Sequence, residues 1–114
     1  MSSPGKRWTV QDRHGNLVYL TQERWNHIID SKNHPEMAIY EEHLKTTIRA
    51  GRRRQELLNP RKYRYYRSFD DLPDDVNHIV SIVLFGFDVD EDGQTVPNNF
   101  VATALSISAQ KVER

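Results

Sequence analysis

Cysteine is absent from the 114 residues, so neither a disulfide framework nor a thiolate metal site is open to this chain. Long apolar runs are missing as well. The longest, over 79–87, contains Ser81 and Gly86 and is far too short to span a bilayer. The opening Met-Ser-Ser-Pro-Gly-Lys-Arg has no apolar stretch of the kind that a signal peptide carries. A cytoplasmic location is therefore the expectation. Neither repeats nor low-complexity segments occur. A formal net charge of zero argues against indiscriminate nucleic-acid binding. With 37% apolar and 28% charged residues, one domain over 1–114 is expected, large enough for a single core, with 1–6 flexible.

The neutral total conceals an uneven distribution. Between Lys45 and Arg67 lie nine of the sixteen Lys and Arg residues, with Glu56 the only acid. From Ser68 to Gln110 there is no Lys or Arg, while eight acids appear. The charge pattern is dipolar: one region attracts anions and another repels them.

The basic region ends in Arg61-Lys-Tyr-Arg-Tyr-Tyr-Arg-Ser-Phe69. In an extended strand, Tyr63, Tyr65 and Arg67 fall on one side and Lys62, Arg64, Tyr66 and Ser68 on the other. Both sides mix cations with aromatic rings, the combination that holds phosphates by charge and bases by stacking. The plainer account is an edge strand whose tyrosines pack and whose arginines stay solvated.

The remaining pattern reads as a hairpin over 7–11 and 17–20, turned by Asp12-Arg-His-Gly-Asn16. A helix follows from Gln22 to about Lys32, capped by Thr21, with Trp25, Ile28 and Ile29 as its stripe. A second helix runs from Pro35 to Ala50, where Met37, Tyr40, Leu44 and Ile48 recur at helical spacing and Gly51 serves as C-cap. Strands are expected over 53–58, 62–69, 78–88 and 100–107, with 78–88 central because it is apolar on both sides. Asp70 to Asp75 and Asp90 to Pro97 read as loops. The fold class is α+β: an N-terminal β-hairpin, then two helices packed on a three- to four-stranded antiparallel sheet.

Several motifs, in order, carry a resemblance. They are Thr-x-x-Arg-Trp-x-His-Ile (Thr21 to Ile28), His34-Pro35-Glu36, Tyr65-Tyr66-Arg67 and Phe100-Val-Ala-Thr-Ala104. From about Leu17 to Leu105 the chain resembles the phage- and toxin-associated nucleases of the barnase–EndoU–colicin–RelE superfamily. That resemblance implies metal-independent cleavage of RNA, with no cofactor. It implies RNA as partner and admits an antitoxin or immunity protein as a second one. The positions matching the superfamily's recurrent polar residues are His27, His34, arginines of the basic segment, Tyr65 or Tyr66, and Thr103.

Such chemistry needs a base for the 2′-hydroxyl proton, an acid for the leaving 5′-oxygen, and cations around the phosphorane. His34, at the start of the second helix, is the first candidate for base, because the positive end of a helix dipole favours a neutral imidazole. His27 lies off the Trp25/Ile28/Ile29 stripe, so a solvated surface histidine is its simpler account. Arg67, beside the tyrosine pair on a strand, is the candidate phosphate clamp. Arg52, Arg53, Arg54, Arg61, Lys62, Arg64 and Tyr66 complete the expected nucleic-acid surface. Tyr65 and Tyr66 point to opposite faces, so at most one of them stacks on a base. Thr103 is expected on a face with Val101, Leu105 and Ile107, where a hydroxyl needs a partner or a task.

Asp88-Val-Asp-Glu-Asp-Gly93 matches the first half of a calcium loop, but position twelve is Asn99, which has no bidentate carboxylate. It reads as an acidic hairpin loop. A zinc site on His27 and His34 lacks an obvious third ligand. Two functions stand side by side: a metal-independent endoribonuclease, and a non-catalytic module binding RNA or an acidic protein. Convergence of His34, Arg67, Tyr65 and Thr103 on one hollow is what the catalytic version requires.

Overall fold

The computed structural model describes residues 5–73 and 75–108. Two strands open it, β1 (Lys6–Gln11) and β2 (Leu17–Thr21). Then come α1 (Gln22–Ile28), a 3₁₀ turn (Pro35–Ile39) and α2 (Glu41–Ala50). The remainder is β3 (Arg52–Gln55), β4 (Lys62–Ser68), β5 (His78–Leu84), β6 (Phe87–Val89), β7 (Thr95–Pro97) and β8 (Phe100–Ile107). The class is α+β. Among the described residues, no helix is long and apolar enough to cross a membrane.

Local chemistry accounts for the boundaries. Asp12 turns the first hairpin, its Oδ1 accepting the backbone N–H of His14 at 2.9 Å and of Asn16 at 2.8 Å. Gly15 supplies the left-handed φ of 88° that this turn needs. Thr21 caps α1 by accepting the N–H of Arg24 at 3.0 Å. The helix stops at Ile28, four residues short of the expected end. The second expected helix is two pieces, because Tyr40 (φ −114°, ψ 23°) interrupts it between the 3₁₀ turn and α2. Its apolar spacing nevertheless holds: Met37, Tyr40, Leu44 and Ile48 are all buried. Gly51 ends α2 in extended backbone rather than in a left-handed cap. Close approach is what demands glycine there, since a Cβ would lie 2.4 Å from the Thr47 carbonyl oxygen and 2.7 Å from that of Tyr66.

Six strands form one sheet in the order β1-β2-β8-β5-β4-β3, and β6 pairs with β7 as a separate ribbon. This corrects the expected three- to four-stranded sheet. The run β8-β5-β4-β3 is antiparallel, as anticipated, but the N-terminal hairpin joins it through a parallel contact of β2 with β8. The expected loop over 90–97 holds β7, and the loose segment expected over 1–6 already contains the start of β1 at Lys6, with 1–4 outside the described residues.

The helices cover one face of this sheet. Ile79, Ser81 and Val83 of β5 point to that side, beside Tyr65 of β4 and Val101 and Ala104 of β8. Trp25, Ile28, Met37, Leu44 and Ile48 pack over them. At about 1.5–3 kcal/mol for each fully buried large apolar side chain, this layer is the main source of stability. Glu41, at the start of α2, fastens β1 to the helices: its carboxylate accepts from the Arg7 guanidinium and, at 2.8 Å, from the Trp8 indole. The Arg7 hydrogen bond outweighs burial and holds the Glu41 carboxyl below its ordinary range.

The hairpin turn also reaches the far end of the sheet. Asp12 Oδ2 accepts the Tyr65 hydroxyl at 2.5 Å and lies 3.8 Å from the Arg53 guanidinium. The sheet therefore bends toward its helical side, and the face without helices is its outer one. Burial alone raises the Asp12 pKa, but hydrogen bonds from Tyr65, Asn16 and His14 more than reverse this and hold it below the ordinary value. Burial, then Asp12, raises the Tyr65 phenol and keeps it a donor.

A depressed folded-state pKa means that Asp12's contribution is full above the ordinary carboxylate range and is lost as pH falls below it through the lowered folded-state value. Asp12→Ala is expected to cost about 2–4 kcal/mol at neutral pH. Thermal melts of both proteins from neutral pH to below about pH 4 should show that gap narrowing with acid. A gap that stays constant or widens excludes the carboxylate as the cause.

Candidate nucleic-acid interface

Strand register lays the outer face out in rows. Tyr19, Phe100, Leu84 and Lys62 are partners across β2, β8, β5 and β4. Thr103, Ile82, Arg64 and Arg54 form the next row, and Leu105, Val80, Tyr66 and Arg52 the one after. Ile107, His78 and Ser68 complete the face. Cations thus gather on the β3–β4 side and aromatic rings on the β2–β8 side, with half-buried Leu84, Ile82 and Leu105 and buried Val80 between. At about 4.8 Å per strand, Tyr19 to Lys62 spans roughly 14 Å.

A register shift between Ile82 and Val83 moves Thr103 relative to the expectation. Val101 faces the helices and is 1% exposed, whereas Thr103 shares the outer face with Leu105 and Ile107. One extra residue in a strand reverses the facing of everything before it.

A hollow of about 430 Å³ opens at the aromatic side, lined by Tyr19, Thr21, Glu23, Arg24, His27 and Phe100. This is within the size range of small-ligand sites. Glu23, Arg24 and His27 share one face of α1, since residues three and four apart are neighbours on a helix. The Tyr19 and Phe100 rings are tilted at 6.2 Å between centroids, and the Lys6 ammonium lies 4.3 Å over the Tyr19 ring. Tyr19 donates its hydroxyl to Asn98 at 2.5 Å. Burial, then the charge of Asp88, raises its pKa against that hydrogen bond, so the phenol stays neutral.

The basic segment divides by face. Arg52 and Arg54 are exposed on the outer side, with Lys62, Arg64 and Tyr66. Arg53 points to the helical side, stacked on the rings of Tyr63 (4.5 Å) and Phe85 (5.6 Å) beside Asp12. Arg61 donates its Nε to the Phe85 carbonyl at 2.7 Å. Arg67 also faces the helical side, its guanidinium 4.6 Å over the Phe69 ring. Tyr65 is 1% exposed in the core.

His34 precedes the 3₁₀ turn with no side-chain cap bond, its Nδ1 3.9 Å from Glu36. A five-residue turn supplies little of the dipole invoked for it. Glu36 in turn accepts the Ser106 hydroxyl at 3.1 Å. Ser106 and Arg67 flank buried Ile79 on opposite sides, two strand spacings apart. His34, Arg67, Tyr65 and Thr103 therefore do not meet: Thr103 is on the other face, and Ile79 separates His34's neighbourhood from Arg67. His43 stacks edge-on against the Phe69 ring that also carries Arg67, and binds Asp71 at 3.0 Å.

Sequence reasoning missed Tyr19, Glu23, Arg24 and Phe100 as one constellation, and His78 as the outer-face imidazole. The signal for Tyr19 was present, because alternation with buried Val18 and Leu20 turns it outward. His78 alternates likewise with Val80, and its Nδ1 meets Asn77 Oδ1 at 2.7 Å. The acidic loop is the tip of the β6–β7 ribbon, where Asp90 accepts the N–H groups of Asp92 and Gln94. Asn99 is buried and donates to the Leu17 carbonyl at 3.0 Å, so it does not reach that loop. Among the described residues, no three His, Asp or Glu side chains gather as metal ligands.

Compared with protein-family models, curated proteins and solved structures, the chain matches none.

The two neighbouring arginines separate the structural from the solvent-facing role. Arg53→Ala is expected to cost about 1–2 kcal/mol through the lost ring stacking and the partner removed from Asp12. Arg54→Ala should stay within about 0.5 kcal/mol of wild type. Denaturant titration of both variants checks this, and equal losses contradict the assignment of faces.

Proposed function

We propose that the chain is a metal-independent endoribonuclease of the barnase–EndoU–colicin–RelE type that lays single-stranded RNA across its outer sheet face. The observation that supports this is the continuity of that face. One row runs from the His27 hollow through Phe100 and Leu84 to Lys62, beside Arg64 and Arg54. Cations follow the backbone, while Tyr66, Tyr19 and Phe100 offer ring faces to bases.

Cleavage is assigned to the hollow rather than to His34 and Arg67, whose neighbourhoods lie on opposite sides of buried Ile79. One nucleotide enters, its base against Phe100 and its phosphate toward Arg24 and Lys6. His27 takes the 2′-hydroxyl proton, the 2′-oxygen bonds to phosphorus, and the bond to the 5′-oxygen breaks. That oxygen takes a proton from water, leaving a 2′,3′-cyclic phosphate. Glu23, one turn before His27 on the same helix face, lines the hollow beside it. The second reading is an RNA-binding module that cuts nothing. It is favoured by the separation of the four residues first expected to act together, with Thr103 on the outer face and Tyr65 in the core.

Labelled single-stranded RNA incubated with the protein and EDTA decides between them. Cyclic-phosphate product is expected with EDTA present, with cleavage lowered about 10²–10⁴-fold in His27→Ala and retained in His34→Ala. Affinity should fall with salt, the slope of log K against log[salt] losing about 0.7 for each of Arg54→Ala and Arg64→Ala. Binding without cleavage leaves the module, and abolition by EDTA removes the metal-free mechanism. No RNA binding at low salt sinks both.

A further inference from the structure

Two exposed apolar pairs lie at one end of the molecule, and neither belongs to the RNA face. Leu57 and Leu58, in the turn between β3 and β4, are 96% and 98% exposed. Phe87 and Val89 of β6 are 72% and 69% exposed. Scattered surface leucines are ordinary, but two adjacent and almost fully exposed side chains on a tight turn are an association signal. The pairs differ in electrostatic setting. Leu57 and Leu58 stand among Arg54, Arg61 and Lys62, with Glu56 paired to Arg64 at 3.9 Å, whereas Phe87 and Val89 alternate with Asp88 and lead into Asp90, Glu91 and Asp92.

The two tips are neighbours. Arg61 and Phe85 exchange two bonds to each other's backbone carbonyls, at 2.7 Å each. The Arg61 guanidinium lies so close to Gly86 that a Cβ there would meet its Nη2 at 2.8 Å. The basic turn is thereby fixed directly beside the start of the acidic ribbon. A surface with a basic-apolar half next to an acidic-apolar half is complementary to itself after a two-fold rotation.

We infer that this end of the molecule is a self-association surface, and that its occupant is a second copy of the same chain. Leu57 and Leu58 of each copy pack against Phe87 and Val89 of the other, with Arg54 and Lys62, at the margin of the outer face and shared with the proposed RNA surface, facing Glu91 and Asp92. A two-fold arrangement makes both contacts at once and closes as a dimer. The zero net charge of the chain removes the long-range repulsion that keeps like molecules apart.

Sedimentation velocity over a concentration series tests this. In low salt the mass is expected to approach twice 13.4 kDa, and added salt to weaken association about 10-fold or more as the opposite charges are screened. Glu91→Lys with Asp92→Lys, and separately Arg54→Glu with Lys62→Glu, should each yield monomers. Mixed one to one, these two variants carry complementary surfaces and should form a heterodimer, which general stickiness does not produce. Leu57→Ser with Leu58→Ser should yield a monomer with unchanged circular dichroism. Monomer at every concentration in low salt overturns the inference, and so does failure of the charge-swapped pair to associate. Monomeric protein that sediments with anionic vesicles, and stops doing so in the leucine variant, assigns the turn to a lipid surface instead.

Discussion

A carboxylate with no solvent-exposed surface joins the two ends of the sheet. Asp12 follows the first strand, yet its partners Tyr65 and Arg53 belong to the two strands at the opposite edge. The group is satisfied from both directions: two turn amides and the Asn16 amide on one oxygen pair, a phenol and a guanidinium from across the fold. A buried carboxylate left short of partners costs several kcal/mol, at the scale of a whole domain's stability. The bend of the sheet is therefore tied to this contact, and the bend makes the helix-free face the outside of the curve.

That constraint sorts the basic segment. Tyr65 and Arg53 are cross-strand partners facing Asp12, so their neighbours Tyr66, Arg52, Arg64 and Arg54 face away from it. Alternation alone separates the two sets, but it does not say which set is inside. The assignment depends on where Asp12 arrives, fifty-three positions away in sequence. An arginine enclosed by Tyr63, Phe85 and Asp12 holds the fold together; the arginine one residue later faces solvent. Composition treats the two alike.

Much of the architecture was legible because it is local. The Asp12 to Asn16 turn, the Thr21 cap, the buried spacing of Met37, Tyr40, Leu44 and Ile48, and the centrality of β5 each follow from residues within a few positions. What was not legible depends on pairing at long range. No local pattern announces that β2 lies beside β8 in parallel, and that single contact creates the Tyr19–Phe100 wall of the hollow. The shift at Ile82/Val83 is equally silent, because a strand rich in Val, Ala, Thr and Leu reads the same in either register. Arg67, the candidate phosphate clamp, sits on a strand, which promises a rigid setting. The setting is rigid because Phe69 occupies it, with His43 and Asp71 alongside.

Rigid and available are competing properties for a cation at this sheet edge. Arg53, Arg61 and Arg67 are ordered by rings or carbonyls, and each such contact reduces what the guanidinium can offer a phosphate. Arg52 and Arg54 keep their exposure at the expense of order, as suits a surface that attracts a flexible polyanion before any nucleotide is positioned. Positioning then falls to the opposite side of the face, where Tyr19 is fixed by Asn98 and α1 by its Thr21 cap. In the proposed nuclease His27 needs a defined distance to a phosphate, which loose arginines cannot supply. A helix cap and a hydrogen-bonded tyrosine can supply it, and for that reason the proposed cleavage is placed in the hollow and not on the basic strand.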